Sequence, residues 1–317
     1  MIIPALQFIG TYARVILPAG IIVALLLPEL QMRWDIILPA IITFIYAASF
    51  IRLDLKQSFR DAFRLHSLVI SISLSALILC VVPLGYTGLA RLFGLDQIFM
   101  PSLVWFAVAP PIASTIWMCA MLGFRAALAM EIVLITSLAA PFTGPFIASL
   151  VLQDIAVIEP LPLFYRLAMM IFGGGVIAYF GQKMLGRETI EAQRKSFDGL
   201  SALAMMIFLI PVFNGMGRVI IADLWLAFYF LLLAVVMNAG IQIVIMVCAN
   251  FLSSANIRAV GDVMAVVTGN RNVGLYFAAL PPDPAFALFT AIYQVPLYLS
   301  PLMLGGLASL LQRRTRD

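Results

Sequence analysis

Long apolar runs separated by short polar connections dominate the chain. Ten of them are candidates to cross a bilayer: 11–29, 35–52, 66–84, 97–121, 124–152, 163–184, 198–214, 219–248, 258–280 and 284–311. A hydrocarbon core about 30 Å thick takes about 20 apolar residues per spanning helix. Outer-membrane β-strands would instead alternate apolar and polar positions, and Val219–Ile245 is nearly continuous. In hydrocarbon such a run must satisfy its backbone internally, as a helix. The pattern predicts an all-α polytopic membrane protein with ten transmembrane helices. The weakest run, 198–214, is short and is expected to close at Pro211 and Asn214. The connections leave no room for a separate soluble domain. The first helix is expected to be retained, because no basic region followed by a small-residue cleavage site marks a signal peptide.

Composition agrees with the pattern. Hydrophobic residues make up 63% and charged residues 11%, where a soluble domain carries about a quarter charged. The charges are also unevenly placed. With a cytoplasmic N-terminus, one side holds Arg14, Arg52, Lys56, Arg60, Arg64, Arg125, Lys183, Arg187, Arg194, Lys195, Arg258, Arg313, Arg314 and Arg316. The other holds Arg33, Arg91, Arg166 and Arg218, and Arg271 lies within a span. A split of 14 to 4 places both termini in the cytoplasm. This bias accounts for the net charge of +4 without a nucleic-acid partner.

Little in the chain suggests catalysis. Cys80, Cys119 and Cys248 are scattered in apolar runs, without metal-ligand spacing, and are expected to be small buried residues. The single histidine, His66, stands at a helix start as an interfacial residue. Neither a zinc site nor a Ser-His-Asp hydrolase can be assembled, so no enzyme and no organic cofactor is expected.

The chain divides into related halves, about 1–157 and 158–317. The most basic connections, 52–64 and 183–195, follow the second and sixth spans. The most unusual spans are the fourth and ninth. The fourth contains Pro110-Pro111 followed by Ser114 and Thr115; the ninth contains Thr268-Gly269-Asn270-Arg271-Asn272-Val273-Gly274. The two stretches lie 157 residues apart, counted from 111 to 268. Five helices per half is odd, so the second repeat must be inverted relative to the first. Interrupted helices at matching positions of inverted repeats point to a transport site. The paired prolines are expected to free carbonyls around Phe106–Val108.

Arg271 carries the sharpest chemistry. Arginine at a membrane-helix centre costs about 2.5–3.5 kcal/mol on insertion scales. Two readings stand: a structural ion pair with Glu131, or contact with the carboxylate or sulfonate of an anionic substrate. Asp262, nine residues earlier in the ninth span, is too far along a regular helix to bond it directly. Asn238 and Gln242, one turn apart, are expected to bond a neighbouring helix. Gln294, before Pro296, either lines a cavity or does the same.

The stretch from Ala109 to Pro145 resembles the bile acid:sodium symporter family, part of the wider bile-acid/arsenite/riboflavin transporter group. Ala113-Ser114 sits in the frame of the family's fourth-helix break, Gly123 falls at the family spacing, and Ala140-Pro141 with Pro145 closes the fifth helix. Gly269-Asn270-Arg271-Asn272-Val273-Gly274-Leu275 is similar to the family's ninth-helix motif. The resemblance implies a panel domain from helices 1, 2, 6 and 7 (11–52 and 163–214). It also implies a core domain from helices 3–5 and 8–10 (66–152 and 219–311). Helices 4 and 9 would cross at their breaks, with substrate between core and panel and transport by alternating access.

The departures are chemical. Family sodium-ligand positions fall at Ser114, Thr115, Val267 and Arg271, and of these only Ser114 keeps its chemistry. Fifth-helix hydroxyl positions fall near Ala129 and Val133, with Glu131 between them. The sodium sites are therefore expected to be degenerate, with Arg271 as a built-in cation and transport sodium-independent or driven by protons through Glu131. Asn272 is the position the resemblance places near substrate, and Gln294 is a weaker one.

The resulting expectation is a secondary transporter of a small organic anion in a bacterial-type inner membrane. Its crossover site would hold Arg271, Asn272, Asn270, Thr268, Ser114 and Thr115. A conventional sodium-coupled symporter and a non-transporting ligand-binding receptor on the same fold are the alternatives. Oligomeric state is open.

Overall fold

The computed structural model describes residues 2–52, 65–155, 157–252 and 254–314. Among these the secondary structure is helical, apart from one isolated β-bridge. The basic residues Lys56, Arg60, Arg64 and Arg316 lie outside the described residues, as do the side chains of Arg14, His66, Arg313 and Arg314.

The chain opens with α1 (Ile2–Thr11) and α2 (Ala13–Leu26), bent by 97° to one another. Then come α3 (Trp34–Phe50), α4 (Leu68–Leu92), α5 (Met100–Val108), α6 (Ser114–Met121) and α7 (Ala126–Val151). After these follow α8 (Pro160–Leu185), α9 (Arg194–Phe213) and α10 (Leu224–Asn250). The last are α11 (Ala255–Gly269), α12 (Val273–Ala279) and α13 (Pro284–Arg314). Among the described residues, six helices are long and apolar enough to cross a membrane, seven if the bent α1–α2 pair counts as one span. Their outer faces are apolar: Met169, Phe172, Val176, Ile177 and Phe180 stand exposed along α8 alone. An exposed apolar belt of that extent suits lipid and not water, as expected of an integral membrane protein.

Two groups of helices pack around separate seams. In one, α3 lies against α8 and α9, and α2 against α9. In the other, α4, α6 and α11 pack on α7, while α10 packs on α11 and α13. The groups meet most extensively where α8 lies along α7, and also where α12 touches α3 and α8 and where α13 touches α2 and α9.

Several boundaries differ from the sequence expectation. The run 198–214 is not short: α9 begins at Arg194, runs through Pro211 and ends at Phe213. Asp198, the first residue of the expected run, lies one turn inside the helix, and Arg52 pairs with it. Asn214 does cap the end, accepting the Leu30 N–H at 2.7 Å and donating to the Leu30 carbonyl at 3.2 Å. The run 66–84 extends to Leu92, and 219–248 separates into a short helix Met216–Ala222 and α10. Cys119 is buried as expected, but Cys248 is exposed on α10.

Two π-turns interrupt α4 and α10, at Leu77–Val81 and Val236–Gly240. Each wide turn loosens the regular i→i−4 ladder, a feature common at functional sites.

Candidate functional site

Pro110 and Pro111 end α5. Neither has an N–H to continue the helical ladder, and a residue preceding proline is pushed to extended backbone. Ala109 accordingly adopts φ −66°, ψ 140°. The carbonyl of Phe106 is taken by the Ala109 N–H at 3.3 Å. The acceptors actually used across the site are therefore those of Ala109 and Pro110, slightly beyond the expected Phe106–Val108. The second break lies between Gly269 and Val273, with Asn270 and Asn272 off helical geometry.

The two breaks meet. The Ile112 N–H donates to the Asn270 carbonyl at 2.9 Å, and the Asn272 N–H donates to the Pro110 carbonyl at 2.8 Å. This antiparallel bridge is centred on Pro111 and Arg271. Each unwound segment supplies polar partners the other needs, which a dry interior demands.

Arg271 is fully buried. Its Nε donates to the Thr268 carbonyl at 2.7 Å and its Nη1 to the Ala109 carbonyl at 2.9 Å. Nη2 reaches the Ile78 carbonyl, within the π-turn of α4, at 3.5 Å. Thr268 and Ala109 stand at the C-terminal ends of α11 and α5, where unsatisfied carbonyls concentrate partial negative charge. The guanidinium thus occupies a cage of carbonyl oxygens. Glu131 is not its partner; that carboxylate accepts from the Ser71 hydroxyl on α4. Asp262, on α11, is not its partner either.

Tyr293 locks the second break from α13. Its hydroxyl accepts the Arg271 N–H at 2.7 Å and lies 3.1 Å from the Gly269 carbonyl, to which it can donate. Three buried amides hold the other side. Asn238 Nδ2 donates to the Gly269 carbonyl at 2.8 Å, and Gln242 Nε2 donates to Asn238 Oδ1 at 3.0 Å. Asn270 Nδ2 donates to Gln242 Oε1 at 3.3 Å and to the Val266 carbonyl at 2.9 Å. Ser300 on α13 donates to the same Gln242 oxygen at 2.9 Å. Gly269 is required by this closeness: an added Cβ would stand 2.6 Å from the Asn238 carbonyl oxygen.

The remaining expected site residues separate by environment. Asn270 and Val267 are fully buried, and Asn270 turns to the amides of α10. Thr115 is buried and donates to the Ile112 carbonyl at 2.7 Å, closing its own turn. Thr268 uses its carbonyl for Arg271, while its buried hydroxyl has no partner among the described residues. Asn272 donates to Tyr46 Oη on α3 at 3.1 Å, joining the break to the other helix group. Gln294 donates to the Thr290 carbonyl one turn back, at 3.0 Å.

Two cavities adjoin these residues. A narrow one of about 20 Å³ is lined by Arg271, Asn272, Gly274 and Gln294, with Ile42 and Phe208 opposite. A larger one of about 150 Å³ lies between α2 and α9 on one side and α6 and α13 on the other; Ser114 lines it. Met205, Leu297 and Tyr298 line both, so the two abut. Arg52 and Asp198 form an ion pair in the wall of the larger cavity.

Sequence reasoning missed Tyr293, Tyr46, Arg52 and Asp198 as site residues. Tyr293 is one of several tyrosines in apolar runs, and charges at span ends ordinarily mark the membrane surface. The Asn238–Gln242 spacing did carry a signal, namely two amides on one helix face.

No family model matches the chain, and no curated protein matches it.

Proposed function

We propose that this chain is a secondary transporter of a small organic anion, a divergent relative of the bile acid:sodium symporters, and not an enzyme. In this reading it works by alternating access without bound sodium. The carrying observation is the Arg271 guanidinium, held by the carbonyls of Thr268, Ala109 and Ile78 where two broken helices cross. A tethered cation there neutralises carbonyl dipoles that a metal ion would otherwise satisfy, and it would repel sodium from the same oxygens. This arrangement weighs against the conventional sodium-coupled reading.

The proposed architecture has ten spans. They are the six long helices, α3, the α1–α2 pair, and the broken pairs α5–α6 and α11–α12. Support for two inverted repeats comes from a recurring offset of 159 or 160 residues. The π-turns begin at 77 and 236, 159 residues apart. The second half-helices α6 and α12 begin at 114 and 273, again 159 apart. Helices α3 and α9 begin 160 residues apart, at 34 and 194, and the bridge joins 111 to 271. The group α2, α3, α8 and α9 then serves as the panel and the remaining spans as the core. The Lys/Arg split of 14 to 4 supports cytoplasmic termini in a bacterial-type inner membrane. Glu131, bonded to Ser71, is the group proposed to carry a coupling proton.

The test is uptake of a set of labelled small organic acids into proteoliposomes. Flux by the wild-type protein should be unchanged when sodium is replaced by choline. Steep dependence on an inward sodium gradient would reject the tethered-cation reading. Saturable binding with no flux of any acid would favour the receptor alternative.

A further inference from the structure

We infer that this conformation is closed to the outside and that α12 is its clasp, fastened to the opposite helix group by Tyr46 at one end and Arg166 at the other. The inference rests on the transport reading and supplies its gating residues. The sides follow from the basic residues, with Arg33, Arg91, Arg166 and Arg218 marking the outer one. There the seam between the groups is filled. Along it α8 lies on α7, with the rings of Phe142 and Phe164 4.9 Å apart, and α12 packs on α3 and α8. Toward the inner side the seam parts instead. The larger cavity separates α2 and α9 from α6 and α13, and its lining reaches Arg52, just past α3, and Met121, the last residue of α6.

α12 is bonded across the seam at both ends. At its start, Asn272 Nδ2 donates to Tyr46 Oη of α3 at 3.1 Å. At its end, Arg166 Nη1 of α8 donates to the Ala279 carbonyl at 2.9 Å. That carbonyl is among the last four of the helix, which no N–H inside it can take. A cation there also meets the partial negative charge of a helix C-terminus. Between the two bonds, Gly274 lets the Phe208 ring of α9 come close. A helix of seven residues has little stability of its own, so its neighbours set its position. Toward the inner side, the bonds of Gln182 to the Phe50 and Ile51 carbonyls and the Arg52–Asp198 pair stay within one group. Cutting either fastening therefore removes an interaction made only while the outer seam is shut, and shifts the population toward the form open outside.

The experiment reads accessibility in the full-length protein and needs no substrate. Cys80, Cys119 and Cys248 are replaced by alanine, and two reporters are introduced one at a time. Ala279→Cys is buried at the closed seam, and Ser114→Cys lines the larger cavity. A membrane-impermeant methanethiosulfonate is applied to sealed vesicles of each orientation. With Tyr46 and Arg166 intact, Ser114→Cys should label from the inner side, and Ala279→Cys about tenfold more slowly from the outer side. Arg166→Gln and Tyr46→Phe should each speed outer labelling of Ala279→Cys by roughly fivefold or more, as the loss of one hydrogen bond allows, and should slow inner labelling of Ser114→Cys. Arg166→Lys keeps a cation at the helix end and should give a smaller change. Bonds that merely hold the fold would, when lost, speed labelling of both reporters. Unchanged labelling in either variant, faster labelling of both reporters, or rapid outer labelling of Ala279→Cys with Tyr46 and Arg166 intact overturns the inference. If Arg166→Gln does not fold, Arg166→Lys and Tyr46→Phe decide it. Failure of the clasp is separable from failure of the transport reading. Uptake of an acid with reporters that neither variant moves sinks only the clasp; opposite shifts at the two reporters without flux of any acid sink only the transport reading.

Discussion

Pro111 and Arg271 form the one isolated β-bridge among the described residues, and the bridge joins two helix breaks in the interior of an otherwise helical protein. The guanidinium of that same Arg271 then closes on carbonyls from α5, α11 and the π-turn of α4. Backbone pairing and side-chain charge thus hold one junction.

Arg271→Gln should lower thermal stability and reduce uptake at least a hundredfold. Breaking a charged hydrogen-bond set leaves buried acceptors unpaired, at about 1–3 kcal/mol each. Arg271→Lys should recover less than a tenth of the flux, because an ammonium lacks the planar fork that reaches separate carbonyls. Detergent unfolding curves and proteoliposome uptake read the two effects separately.

Tyr293→Phe removes the hydroxyl that accepts the Arg271 N–H. It should cost about 1–3 kcal/mol, the range for leaving a buried donor unsatisfied. Asn238→Ala and Gln242→Ala should each destabilise similarly. The double variant should lose less than the sum, since Gln242 donates to Asn238 and both bond Asn270. Denaturation midpoints of the four proteins form the cycle that checks this.

Gly274 faces Phe208 of α9, and a Cβ built there stands 2.5 Å from the ring. Gly274→Val should therefore force α12 and α9 apart and abolish uptake, by the overpacking that costs about 1–3 kcal/mol in filled interiors. Adding Phe208→Ala should restore measurable flux. Equal inactivity of the single and double variants would place the glycine's role elsewhere.

Glu131→Gln tests the proposed coupling proton. Counterflow under equal pH should persist, while accumulation driven by an imposed pH gradient should fall at least tenfold. Equal accumulation by variant and wild type would remove Glu131 from coupling.

Much of the fold was legible because hydrocarbon allows few solutions. Continuous apolar runs had to be helices, and Pro110-Pro111 had to stop one. The polar stretch 268–274 stood out against its apolar surroundings. Boundaries at charged residues were less legible. Asp198 opens the expected run 198–214, and nothing in the sequence marks it as the partner of Arg52. The local signal there is polarity alone, and polarity does not distinguish a membrane surface from a cavity wall.

Composition, the unbroken apolar runs and the two polar breaks are properties of the chain in order, and by themselves they determined a membrane protein with interrupted helices. Which groups Arg271 meets is a matter of distance between helices far apart in sequence. Only the packing of α4, α5, α11 and α13 brings the Ile78, Ala109 and Thr268 carbonyls and the Tyr293 hydroxyl around it. A buried guanidinium requires partners wherever it sits; the tertiary arrangement decided that they are carbonyl oxygens and not the carboxylate of Glu131.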